Sequence, residues 1–80
     1  MGKDKISLYE FLVLPDQEQY YIVFNKGVFV DFLIDGNKKF ALYAIDMFFV
    51  EVEYDNAKNI IIDKKAFVAG VILNKYSNLK

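Results

Sequence analysis

Apolar and polar residues alternate through the middle of the chain, and that two-residue period is the pattern of β-strands with one buried face. From Val28 to Ile34, Val28, Val30, Phe32 and Ile34 take one side while Phe29, Asp31 and Leu33 take the other. Asp35-Gly36-Asn37 follows as a turn, because glycine and asparagine tolerate positive φ. A three-residue loop there sets Phe32 opposite Phe40 and Val30 opposite Leu42, keeping the large residues on one face. The next strand is expected over residues 39–54. Its second half alternates Phe48, Val50, Val52 and Tyr54 against Phe49, Glu51, Glu53 and Asp55, but Asp46 falls on the apolar side of its first half. A bulge or bend near Asp46 removes that conflict by shifting the register. Asp55-Asn56-Ala57-Lys58-Asn59 is the next turn, and a third strand follows over residues 59–67 in a register the pattern leaves open.

Upstream of the sheet the period changes. Ser7 is placed to cap, Glu10 sits three residues later as in a capping box, and Leu8, Phe11 and Leu12 share a helical face, so residues 7–14 read as a short helix or an extended arm. Pro15 marks a boundary and suits the first turn of a helix over residues 15–26. Asp16 and Glu18 complement the dipole at its start and Lys26 at its end, with Gly27 as a left-handed stop. The competing reading makes a strand of Tyr20-Tyr21-Ile22-Val23-Phe24 and a hairpin turn of Asn25-Lys26-Gly27. After Gly70, residues 71–76 read as a short terminal helix. The expected fold is therefore α+β: a helix (15–26) packed on a three-stranded antiparallel meander (28–34, 39–54, 59–67), with short terminal helices.

The run Phe40-Ala41-Leu42-Tyr43-Ala44 and the later Phe48-Phe49-Val50-Glu51-Val52-Glu53-Tyr54, with Gly27-Val28-Phe29 before and Ala66-Phe67 after, resemble a group of small uncharacterised bacterial proteins. The resemblance spans residues 18–76. It implies a helix ahead of the glycine, and it brings no established activity with it.

At 80 residues the chain reads as one domain, near the size at which a single core only just suffices. With no cysteine there is no disulfide framework. The charged start Met1-Gly2-Lys3-Asp4-Lys5 leads into a short segment containing Glu10, without the pattern of an export signal. The longest low-charge stretch, residues 40–50, is interrupted by Asp46 and falls short of the roughly 20 apolar residues a bilayer requires. A soluble, cytoplasmic protein with no membrane partner is expected. Net charge is −1, and the 10 cationic residues are all lysine and scattered, which argues against nucleic acid as a partner. The absence of Arg, Trp, Thr, His and Cys beside abundant Lys, Asn, Ile, Phe and Tyr suggests an A+T-rich coding sequence, and by association a bacterial or phage source.

Chemistry is sparse. With no His and no Cys, and with Ser7 and Ser77 near opposite ends, no nucleophile stands beside a base. Asp46 with Glu51 or Glu53 is the one carboxylate pairing in an unusual position, and a bulge turning Asp46 toward solvent or a backbone donor accounts for it more simply. Glu51, Glu53 and Asp55 lack the loop spacing of a Ca²⁺ site and read as the solvated face of a strand. No cofactor is implied, and the expectation is a protein without enzymatic activity.

The informative quantity is apolar surplus: 55% hydrophobic and 18% aromatic residues in a chain with few interior positions. If Val30, Phe32, Phe40, Leu42, Phe48, Val50 and Val52 lie under the helix, then Phe29, Leu33, Tyr43, Ile45, Met47 and Phe49 face the other way, where an uncovered sheet would normally carry polar residues. Those six are the candidate interaction residues, unless the N-terminal arm or the C-terminal helix covers them. The expected function is a protein–protein interaction module, acting as a homodimer or docking on a larger protein as an inhibitor or regulator. The alternative is a small-ligand carrier with an aromatic-lined pocket.

Overall fold

A computed structural model describes residues 5–68 and Tyr76. The order of elements is α1 (Leu8–Leu12), α2 (Asp16–Lys26), β1 (Val28–Asp35), β2 (Lys38–Ile45), β3 (Phe48–Asp55) and β4 (Ile60–Phe67). The strands form one antiparallel sheet in the order β1-β2-β3-β4, so the fold is α+β with an antiparallel sheet. The expected terminal helix over residues 71–76 lies outside the described residues, Tyr76 excepted. No helix among the described residues is long and apolar enough to cross a membrane.

The capping box at α1 is complete: the Ser7 hydroxyl accepts from the Glu10 N–H at 3.1 Å, and the Glu10 carboxylate accepts from the Ser7 N–H at 3.0 Å. Two otherwise orphaned donors are thereby satisfied, which is what lets a five-residue helix persist. Pro15 occupies the N-cap of α2, Asp16 and Glu18 fill its first turn, and Lys26 its last. Gly27 corrects the expectation of a left-handed stop. Its φ and ψ are −73° and 149°, ordinary extended backbone, and its N–H donates to the Ile22 and Val23 carbonyls. Glycine is needed there for space, since a Cβ would stand 2.4 Å from the Val23 carbonyl oxygen and 3.3 Å from the Tyr43 Cβ.

The sheet has four strands because the expected long strand over 39–54 is a hairpin. Asp46-Met47 reverses the chain between Ile45 and Phe48, with Asp46 at φ 50°. Aspartate is among the few side chains that enter the left-handed region at small cost. Its carboxylate also accepts the Ile6 N–H at 2.8 Å, tying the N-terminal segment to this turn.

The first hairpin is tighter than expected as well. Gly36-Asn37 alone makes the turn, with Gly36 at φ 63°, so Asp35 faces Lys38, Leu33 faces Phe40 and Asp31 faces Leu42. A shift of one residue transfers a strand's side chains to the opposite face. A bulge at Val30 then brings Phe29 opposite Tyr43. In the β3–β4 loop the Asp55 carboxylate accepts the Ala57 and Lys58 N–H groups, and Asn59 takes φ 58°, as the turn signal implied.

The two faces follow from this register. Both helices lie on the face carrying Tyr43, Ile45, Phe48, Val50 and Val52. Phe11 and Val23 pack there with Ile45, Phe48, Val50 and Val52 to make the core, and the Phe11 and Phe48 rings are 5.2 Å apart. Helix α2 crosses the sheet from the Asp16–Lys64 ion pair at one end (2.6 Å) to Phe24 against the edge of Tyr43 at the other (5.7 Å). The corner between the helices is held by buried Gln19, whose amide donates to the Leu14 carbonyl at 2.9 Å. Phe40 and Leu42, expected under the helix, lie on the opposite face, while Tyr43 and Ile45 lie beneath the helices.

Candidate functional site

The six candidate interaction residues do not share a face. Phe29, Tyr43 and Ile45 are on the helix-bearing face, Leu33 and Phe49 on the other, and Met47 is in the β2–β3 turn with 77% of its surface exposed. Ile45 is buried in the core. Phe49 stacks on Phe67 across the β3–β4 ladder, centroids 5.8 Å apart.

The opposite face, expected to be open and apolar, is closed at its centre. The cross-strand row Asp31, Leu42, Glu51, Lys65 runs over all four strands, and Tyr76 lies on it, 1% exposed, donating its hydroxyl to Glu51 at 2.7 Å. Glu51 is 4% exposed, which corrects its reading as part of a solvated face. Burial, the bond to Glu51 and the negative charges of Glu51 and Asp31 hold the Tyr76 phenol well above its ordinary range. The neighbouring carboxylates are engaged too: Glu53 pairs with Lys38 at 3.5 Å, and Asp55 caps its turn. Asp46 turns to the N-terminal segment on the helix side, so it does not meet Glu51.

What stays uncovered is the half of the helix-bearing face beyond α2. Helix α2 shields Val50 and Val52 but not the β1 side of the face, where Phe29, Phe32 and Ile34 are 54%, 50% and 53% exposed. Ile34, Lys39, Tyr54 and Ile61 form one row across the four strands. The Lys39 ammonium lies over the rings of Phe32 (5.6 Å) and Tyr54 (5.8 Å), a geometry that fixes a long flexible side chain by cation–π attraction. Aromatic contacts continue the surface onto the helix: Phe29 meets Tyr43 at 5.8 Å, Tyr43 meets Phe24, and Phe24 stacks on Tyr20 at 6.1 Å. Burial raises the pKa of Tyr54, with the adjacent Tyr43 phenol adding to it, and burial also raises that of Tyr20 against the opposing charge of Lys64.

Both sheet edges are blunted. In β1 the bulge at Val30 interrupts the ladder, and the Asp31 carboxylate takes the Phe32 N–H at 2.8 Å. In β4 a second bulge falls at Ile62. Bulges and charged side chains are standard protection against strand addition, which counts against the backbone edges as a binding mode and leaves side-chain contact on the face. A separate cleft of about 440 Å³ beside α1 and α2 is lined by Ile6, Leu14, Ile22 and the charged Lys5, Glu10 and Lys26, with no aromatic side chain.

The sequence reading placed Phe32 beneath the helix and did not single out Ile34, Lys39 or Tyr54 as contact residues. One signal for them was present: a strand spanning 39–54 is longer than the usual range of about 3–10 residues, so a reversal inside it was to be expected. Compared with family models, curated proteins and solved structures, the chain matches none.

Proposed function

We propose that the protein is a non-enzymatic protein–protein interaction module, and that its contact surface is the open half of the helix-bearing face. One observation carries this reading: Phe29, Phe32 and Ile34 lie side by side on one strand, each about half exposed, next to an ammonium held over two aromatic rings. Large aromatic residues beside a cation, in a patch continuous across several elements, are the composition of contact hot spots. A sheet face covered by helices over half its extent gives rigid backbone beneath those side chains, so little order is lost on binding. On this reading the protein acts in the cell by occupying a surface of a larger protein, as an inhibitor or regulator, or by pairing with itself.

The test is Phe32→Ser. The variant should keep the wild-type circular dichroism spectrum, because a half-exposed strand residue contributes only about 1–3 kcal/mol through β-propensity, partial burial and its contact with Lys39, less than the roughly 5 kcal/mol or more of a folded domain. It should lose whatever association the wild type shows, read by light scattering over a dilution series and by capture from extracts of the source cell. Self-association and capture that are both indifferent to Phe32→Ser would refute the reading.

A further inference from the structure

The register sorts charge between the two faces of the sheet. Asp31, Asp35, Glu51, Glu53, Asp55 and Asp63 all fall on the face away from the helices. The helix-bearing face receives Lys39 and Lys64 from the strands and no carboxylate. Lys64 is already neutralised by Asp16 at 2.6 Å. Lys39 has no ion pair among the described residues and is held instead by the Phe32 and Tyr54 rings, with the exposed Ile34 beside it on β1 and Ile61 beyond Tyr54 on β4. An ammonium placed on apolar surface gains most from a carboxylate when a partner covers the site and excludes water.

Charge also counts against a symmetric dimer centred on Lys39. With the twofold axis near Lys39, an isologous contact would bring the two ammonium groups together, and among the described residues the strands place no carboxylate on this face to offset the repulsion. We propose that the open half-face receives an acidic, apolar segment of another protein: one aspartate or glutamate carboxylate meets the Lys39 ammonium, and large apolar side chains of the same segment rest on Phe29, Phe32 and Ile34. This rests on the interaction reading above and names the chemistry of the partner. Nucleic acid fits less well, since the one cation on the patch without an ion pair among the described residues matches one carboxylate and not a run of phosphates.

The experiment is selection of random dodecapeptides displayed on phage against the immobilised full chain, with depletion on Phe32→Ser, followed by fluorescence polarisation with the selected peptides. Peptides enriched in an aspartate or glutamate within a few positions of large apolar residues are expected. Lys39→Met, which keeps the apolar stem, should weaken them at least about tenfold, and Lys39→Glu should transfer preference to peptides in which the acidic residue is changed to lysine. Peptides that depend on Phe32 but show no acidic preference, or bind Lys39→Met equally well, would overturn the carboxylate inference and leave the interaction reading standing. Absence of any Phe32-dependent peptide would overturn both. A concentration-dependent doubling of mass abolished by Phe32→Ser would make a second copy the occupant, and Phe32-dependent binding of labelled oligothymidylate would assign the face to single strands; either result overturns the proposal.

Discussion

Removing one hydroxyl, in Tyr76→Phe, tests the closed face of the sheet. Tyr76 and Glu51 are 1% and 4% exposed and share a 2.7 Å hydrogen bond, so the variant takes a donor from a buried carboxylate. Hydrogen bonds to charged groups contribute about 1.5–3 kcal/mol, and a loss of about 2 kcal/mol at pH 7 is expected. In a domain of this size that lowers Tm by roughly 8–16 °C. The pH dependence distinguishes this bond from mere packing. The folded Tyr76 phenol is held above the ordinary range, whereas in the unfolded chain it ionises near pH 10. Its contribution is therefore complete below about pH 10 and is lost as pH rises toward the folded value, by about 1.4 kcal/mol per pH unit. By pH 11.5 that amounts to roughly 2 kcal/mol for Tyr76 alone, the size of the gap at neutral pH. Tyr20 and Tyr54 add the same sign of slope to both proteins. Urea unfolding followed by circular dichroism from pH 7 to 11.5 should show two curves that start apart and converge. Parallel curves with a constant gap, or no gap at pH 7, would refute the account of Tyr76.

Two further outcomes follow from backbone geometry. Gly27→Ala should destabilise by about 1–3 kcal/mol although its φ suits any residue, because the new methyl meets the Val23 carbonyl; Gly36→Ala, in open space at φ 63°, should lose only about 1–2 kcal/mol by left-handed strain, and thermal melts would show the order. At the β2–β3 turn, Asp46→Asn should be near neutral, since asparagine tolerates positive φ and keeps an acceptor for the Ile6 N–H. Asp46→Gly loses only the bond, about 1 kcal/mol, and Asp46→Ala loses the bond and adds strain, so amide exchange at Ile6 should quicken most in the alanine variant.

Local chemistry was legible in the sequence wherever a short stretch decides it. The capping box at Ser7 and Glu10, the Pro15 boundary, the acidic start and basic end of α2, and the Asp55–Asn59 turn all appear as read, because each is settled by contacts a few residues apart. The alternation over Phe48–Tyr54 likewise fixes which residues of β3 share a face.

The pairing of strands was not legible, and the candidate surface depends on it. The turn at Asp46-Met47 carries no glycine, proline or asparagine, and the Ile6 N–H that holds its carboxylate comes from 40 residues away. Gly36-Asn37 could close with two residues or with three, which decides whether Phe32 faces Ala41 or Phe40; the two-residue reversal at Asp46-Met47 sets Ile45 against Phe48 and so places Tyr43 and Ile45, and not Phe40 and Leu42, beneath the helices. Sequence alone thus established that the chain holds more apolar surface than its core can bury. Only the tertiary structure decided which residues carry the excess, because a side-chain period of two makes a one-residue slip invert a face, and the slip is set by packing across the sheet and not by the strand itself.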